Sequence, residues 1–191
     1  MFNALFRAFV VGIVVGVLLL VAAVYFYVSS GRAPVAVAAS PILFEQTLTH
    51  KALHAYLDKL PHLNPQVPAD ETNYLAGAKV YRQQCAVCHG LPDQPKTTIA
   101  EGMYPSPPQL FHGMGVTDDE AWESYWKVEN GIRLTGMPSF KSNLTETQIW
   151  QATVLVKNAD KIPASVKNVL LGAPAATEVP PLPLTPAAPL K

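Results

Sequence analysis

The sequence contains little cysteine and no excess of charge of either sign. Among 191 residues, Lys and Arg number 14, as do Asp and Glu, so the formal net charge is zero. Nucleic-acid partners favour basic surfaces, so this balance argues against one. The two cysteines, Cys85 and Cys88, are too close in sequence for a disulfide between them to add much stability. The pair is therefore better explained as a chemical site.

Proline, in contrast, is abundant: 18 residues, concentrated in connecting segments and near the C-terminus. The length suggests one folded domain with extensions. We predict an N-terminal anchor at 1–32, a linker with a short helix at 33–72, a folded domain at 73–162 and a Pro/Ala-rich tail at 163–191. A domain of roughly 90 residues is often stabilised by a cofactor or a cross-link.

The N-terminal region contains a long apolar stretch. Residues 8–28 include no charge and no proline, and a helix of this length spans the roughly 30 Å core of a bilayer. Tyr25 and Tyr27 lie near one end, as in an aromatic belt. A small-x-small pattern at 36–38 leaves a cleaved signal peptide as the alternative, but the apolar stretch is longer than such peptides use. In both cases the remainder is exported.

Residues 43–60 have apolar side chains at helical spacing and predict a short amphipathic helix that ends at Pro61. Proline-containing connectors at 29–41 and 61–70 flank it. Its apolar stripe could pack on the folded domain, on the membrane surface or on a partner subunit. The stripe consists of Leu48, Leu53, Tyr56, Leu57 and Leu60.

The tail after about Gly172 cannot form a core and is expected to be extended.

Four histidines lie outside the cysteine motif. His50 and His54 are four residues apart on the predicted helix, a spacing that can bind a metal. No neighbouring Cys, Asp or Glu completes a ligand set, so we interpret them as a solvated pair. His62 and His112 are interpreted as ordinary loop histidines.

Cys85, Cys88 and His89 form a C-x-x-C-H motif, the attachment sequence of c-type haem. The two thiols add to the two vinyl groups of the porphyrin, and the adjacent histidine reaches the iron. A thioredoxin-type site would need a surrounding βαβ pattern, and a zinc site would need a second ligand pair. The sequence has neither, so haem attachment is the prediction.

Haem attachment also predicts the membrane topology. Because c-type haem is attached outside the cytoplasm, residues after 28 should lie on the outer face of the inner membrane, in the periplasm. Arg7, before the apolar stretch, agrees weakly with a cytoplasmic N-terminus.

Residues 72–162 resemble class I monohaem c-type cytochromes, in particular the membrane-anchored cytochrome c subunits of bacterial cbb3-type oxidases. The resemblance implies an all-α cytochrome c fold around one covalent haem (heme c, with its iron). It rests on a first block from Leu75 to Gly90 that includes Gly77, Tyr81 and the C-x-x-C-H motif, on Asn130-Gly131-Ile132 leading into Gly136-Met137-Pro138, and on a last helix between Thr145 and Asp160.

The same resemblance places the distal iron ligand at Met137. Gly136 would let the backbone approach the haem, and Pro138 would stiffen the loop. A thioether ligand favours reduced iron. Met103 and Met114 are interpreted as core-filling side chains instead.

Residues 103–108 look like the proline-rich loop that covers the proximal haem side in relatives. A proline carbonyl there, assigned here to Pro108, is expected to accept the free N–H of His89 and fix the orientation of the imidazole. Arg133 is either a contact of a haem propionate or an ordinary surface residue.

Three helices are predicted around the haem, at 73–84, 119–130 and 145–159. Thr145 and Gln148 match a capping box at the start of the last helix. In the family, the first and last helices cross near Gly77. Four acidic residues lie at the start of the middle helix. They either interact favourably with the helix dipole or attract a basic partner. They are Asp118, Asp119, Glu120 and Glu123.

A haem with both axial positions filled transfers electrons and does not bind substrate. The predicted function is thus a membrane-tethered electron carrier rather than an enzyme, bound to lipid through its N-terminal helix. Its partners would be a quinol-oxidising complex, a terminal oxidase or a periplasmic dehydrogenase. The alternatives are a fixed subunit of a larger respiratory complex, and a haem sensor or peroxidase with an open distal site.

Overall fold

The computed structural model describes residues 2–111 and 118–172. Within these ranges all regular structure is helical, which confirms the predicted all-α class. The helices are α1 (Phe2–Ser29), α2 (Glu45–Leu57), α3 (Glu71–Gln84), α4 (Ala86–His89), α5 (Thr98–Glu101), α6 (Ala121–Asn130), α7 (Glu146–Lys157) and α8 (Ala164–Leu171).

Helix α1 and the segment up to Glu45 form a first unit of the chain. The helix contains the apolar stretch at 8–28, and its side chains from residue 3 to residue 29 are exposed. An 18-residue window within Asn3–Ser29 has a mean hydropathy of 2.9, so by length and composition the helix is a candidate membrane span. A signal sequence near an N-terminus has the same character.

The second unit begins at Gln46, and the crossing of α3 and α7 forms its centre. A Cβ atom built on Gly77 would lie 2.2 Å from the backbone oxygen of Gln151, so the two helices meet where there is no side chain. The expected crossing at Gly77 is present. Helix α3 starts two residues earlier than predicted because the side chain of Asp70 accepts a hydrogen bond from the Asn73 N–H and caps it.

Helix α7 provides much of the core of this unit. The predicted capping box is present: Thr145 Oγ1 accepts from the Gln148 N–H at 3.2 Å, and Gln148 Oε1 accepts from the Thr145 N–H at 2.9 Å. On the packed side, the ring of Trp150 stacks on Tyr125 of α6 with centroids 4.2 Å apart. The side chains buried along α7 are Ile149, Trp150, Ala152, Thr153, Val154 and Leu155.

The C-terminal half of α2 packs on this same core. Leu57 is 1% exposed, Leu53 is half-buried against the core, and the ring of Tyr56 contacts Trp126 of α6 at 5.3 Å. Leu48, one turn before Leu53, is 63% exposed. The predicted stripe is therefore covered by its own domain in its second half only.

Helix α8 lies beyond the predicted end of the domain. The sequence predicted a domain that ends at 162 and a tail that begins at 163. Val166 and Leu170 are fully buried, and Arg82 of α3 donates a hydrogen bond to the Val169 carbonyl at 3.0 Å. The fold thus extends to residue 171, because an i, i+4 apolar pair completes the core beside α3. Residues 173–191 of the predicted tail, together with His112 and Met114, lie outside the described residues.

The acidic residues at the start of α6 pair with lysines of their own unit. Asp119 contacts Lys127, and Glu120 lies 3.0 Å from Lys157 of α7. These pairs favour a local role for the acids over attraction of a basic partner.

Candidate functional site

The two cysteines and His89 are brought together by one helical turn. Cys85 ends α3 and precedes α4, and its carbonyl accepts from the N–H groups of Cys88 at 3.1 Å and His89 at 2.9 Å. Residues three and four positions apart share one side of such a turn. Both thiols are free, Cys85 buried and Cys88 half-buried. The turn can thus present two thiols and an imidazole to one group.

Burial shifts the pKa values of Cys85 and His89. It raises the pKa of the Cys85 thiol to about 12, and the neighbouring Cys88 adds to that rise. A thioether at this position would be uncharged, so burial does not oppose it. Burial also lowers the pKa of His89, opposed in part by its hydrogen bond to Pro108, and favours the neutral imidazole that binds metals.

The imidazole of His89 is oriented by the Pro108 carbonyl. Nδ1 lies 2.8 Å from the Pro108 oxygen. Because a carbonyl only accepts, Nδ1 must carry the proton, and Nε2 keeps its lone pair for an iron. The sequence analysis assigned this contact to Pro108, and the structure places the two atoms within hydrogen-bond distance.

Two further residues, which sequence reasoning missed in this role, hold the end of α4. Tyr81 donates to the carbonyl of Gly90 at 2.8 Å, and burial raises its pKa so that the hydroxyl stays protonated. Gln109 Nε2 donates to the Cys88 carbonyl at 3.3 Å, and a Cβ on Gly90 would lie 2.1 Å from Gln109 Oε1. Adjacency to Pro108 is the one signal that could have indicated Gln109.

The loop that carries Met137 is tied to the end of α6. The N–H of Ile132 donates to the Met137 carbonyl at 3.1 Å, and the Met137 N–H donates to Thr135 Oγ1 at 3.0 Å. Gly131 has φ +71°, and a Cβ there would lie 2.7 Å from the Ser139 nitrogen. These contacts fix the backbone on both sides of a half-buried Met137.

Met103 lies against this loop. A Cβ on Gly136 would lie 1.9 Å from the terminal methyl of Met103. Met103 is thus a second thioether beside the Met137 loop, whereas the sequence analysis assigned it only to core filling. Arg133 is exposed.

The chemistry of these side chains fits a covalently bound haem. Two free thiols precede an imidazole whose Nδ1 is hydrogen-bonded to a carbonyl, and a loop with a methionine follows later in the chain. Two buried polar atoms, Tyr104 Oη and Gln109 Oε1, have no hydrogen-bond partner among the described residues. Within the described ranges, no three His, Cys, Asp or Glu side chains are grouped to hold a metal ion, and the rings of His50 and His54 lie tilted with centroids 4.6 Å apart.

A match to one protein family agrees with this chemistry. Residues 72–155 match the family described as cytochrome C oxidase, cbb3-type, subunit III. Among solved structures, the chain is similar to the reducing HAO-like protein complex of Kuenenia stuttgartiensis, with 23% identity and a TM-score of 0.43. That similarity covers 56% of this chain and 54% of the other, so the chain spans about half the length of its structural relative. A comparison with curated proteins gave no match.

Proposed function

We propose that this chain is a membrane-tethered electron carrier with one covalently bound haem, a function supported by the match of residues 72–155 to a family of cytochrome c subunits. Cys85 and Cys88 would hold the haem through thioether bonds, and His89 Nε2 would bind its iron. A haem bound in this way supplies one-electron oxidation and reduction at the iron.

The observation that carries the proposal is the contact between His89 and Pro108. The carbonyl fixes both the tautomer and the ring orientation of the imidazole directly after the two thiols. A histidine without this partner could rotate, and its Nε2 would have no fixed direction. The Pro108 carbonyl thus prepares His89 to act as a ligand.

We assign the second iron ligand to Met137. Its loop is held by hydrogen bonds at Ile132 and Thr135, so the sulfur could be presented without reordering the backbone. With His89 and Met137 both bound, small ligands would be excluded from the iron.

Carbon monoxide tests this closed coordination. The reduced full-length protein, purified in detergent, should keep its absorption spectrum under carbon monoxide. The variant Met137→Ala opens one axial position, so it should bind the gas and serves as the positive control. Rapid binding by the unaltered protein would contradict the carrier function and favour a haem sensor or peroxidase with an open distal site.

We propose that α1 tethers the domain to the inner membrane, with the N-terminus inside and the haem domain in the periplasm. The apolar, exposed helix supports the anchor, and the requirement for export of c-type cytochromes supports the topology. Tethering raises the concentration of the domain near membrane partners. Those partners would be a quinol-oxidising complex and a terminal oxidase, or a periplasmic dehydrogenase.

A second candidate function is a fixed subunit of such a complex. It is favoured by exposed apolar side chains in the segment after α1, where Leu43 is 78% exposed and Phe44 63% exposed. Purification in mild detergent distinguishes the two functions. A stoichiometric complex would support the fixed subunit, and recovery of the protein alone would support the carrier.

A further inference from the structure

Tyr104 has a buried hydroxyl that finds no hydrogen-bond partner in the part of the chain that the structure describes. An unpaired buried polar group costs free energy, and buried hydroxyls in folded proteins are nearly always paired. A phenol is a donor at neutral pH. The orphan hydroxyl therefore indicates that an acceptor binds beside it.

The residues close to Tyr104 in sequence contact both parts of the proposed haem site. Directly before it, the methyl of Met103 packs on Gly136, the residue that precedes Met137. Four residues after it, the Pro108 carbonyl accepts from His89. The segment 103–108 thus connects the distal loop to the proximal histidine, and Tyr104 lies between those two contacts.

The chemistry of haem supplies the acceptor. Its peripheral polar groups are two propionate carboxylates, and a hydroxyl that donates to a carboxylate forms a short, strong hydrogen bond. Gln109 Oε1, the other buried atom without a partner, is an acceptor and does not suit an ionised carboxylate.

We propose that Tyr104 Oη donates a hydrogen bond to a propionate of the haem held at Cys85 and Cys88. This inference rests on the haem attachment proposed above. The bond would position the haem edge and disperse the charge of the propionate. Because reduction adds an electron close to that charge, the bond should raise the reduction potential.

The variant Tyr104→Phe tests the proposal by removing the hydroxyl and keeping the ring. In the detergent-solubilised full-length protein, we expect a shift of the propionate bending mode in resonance Raman spectra. We also expect a lower midpoint potential and a lower denaturant midpoint of the haem-bound protein. Tyr56→Phe, which alters a tyrosine 53% exposed on α2, is the control and should change none of these.

The sign of the stability change shows whether Tyr104 Oη has a hydrogen-bond partner in the haem-bound protein. If the hydroxyl has no partner in the haem-bound protein, its removal relieves a buried polar group, and Tyr104→Phe should be as stable as the unaltered protein or more so. That result, with an unchanged propionate mode, would overturn the proposal. An absorption spectrum of the purified protein, recorded first, shows independently whether haem is covalently attached.

A measurement without any variant covers the case in which Tyr104→Phe does not accumulate. In proton NMR spectra of the reduced protein, a slowly exchanging tyrosine hydroxyl should show a nuclear Overhauser effect to the propionate methylene groups. The absence of such a resonance would count against the bond.

Discussion

At Gly77, the lack of a side chain decides how closely α3 and α7 can approach. Its neighbours across the crossing are backbone atoms, with the carbonyl carbon of Gln151 at 2.6 Å from a built Cβ and its oxygen at 2.2 Å. Backbone atoms of a packed helix cannot move aside as the end of a flexible side chain can. A methyl group would therefore separate the two helices.

We predict that Gly77→Ala destabilises the haem-bound protein by about 1–3 kcal/mol. Helix propensity alone would favour alanine by roughly 1 kcal/mol, so the sign of the change tests the crossing. Denaturant unfolding measures it. Gly102→Ala is the matched control, since a Cβ there has its nearest neighbour at 3.5 Å, and it should be neutral or slightly stabilising.

Residues defined by a covalent or steric requirement could be anticipated from the sequence. The thiol–thiol–imidazole motif belongs to this class, whereas the roles of Gly77 and of the Pro108 carbonyl, 2.8 Å from His89, were anticipated through the resemblance to class I cytochromes. Gln109 and Tyr104 could not, because their roles depend on which way a side chain turns within a folded loop. No spacing rule encodes that orientation.

The contribution of α8 to the fold lies in its tertiary contacts. It has eight residues, too few to be stable alone, and its buried residues Val166 and Leu170 face α3. The ion pair between Lys167 and Asp93, at 2.6 Å, joins it to the segment after α4. Helix α8 thus fastens the C-terminal end of the described fold to the helix that precedes the haem motif.

We predict that Leu170→Ala lowers the free energy of unfolding by about 2–5 kcal/mol, since this side chain is fully buried. The adjacent Leu171, 36% exposed, provides the control, and Leu171→Ala should change stability by about 0.5 kcal/mol. Equal effects of the two variants in denaturant unfolding would refute the assigned orientation of α8.

The longer helices could be predicted within a few residues because caps and apolar periodicity act locally. The capping box of Thr145 and Gln148 set the start of α7, whereas the helix predicted to end at Pro61 ends at Leu57. Helix α8 was missed since its segment follows a proline and precedes a Pro/Ala-rich sequence. Its burial depends on Arg82 and other residues far away in sequence.

At the scale of the whole molecule, the proposed function requires a haem domain that folds apart from its anchor and is held at a membrane. We predict that replacing residues 1–32 with a cleavable export signal releases a haem-bound protein into the soluble periplasmic fraction. The unaltered protein should stay in the membrane fraction after a high-salt wash and be released by detergent. Recovery of the unaltered protein in the soluble fraction would show that α1 is removed and is not an anchor.

The most direct test of the central claim is the charge-transfer band between methionine sulfur and ferric iron in the oxidised protein. Two thioethers are available near the same loop, Met137 and Met103, whose methyl packs on Gly136. We predict that the unaltered protein and Met103→Leu show the band and that Met137→Ala lacks it. Persistence of the band in Met137→Ala, or its loss in Met103→Leu, would contradict an electron carrier with its iron between His89 and Met137.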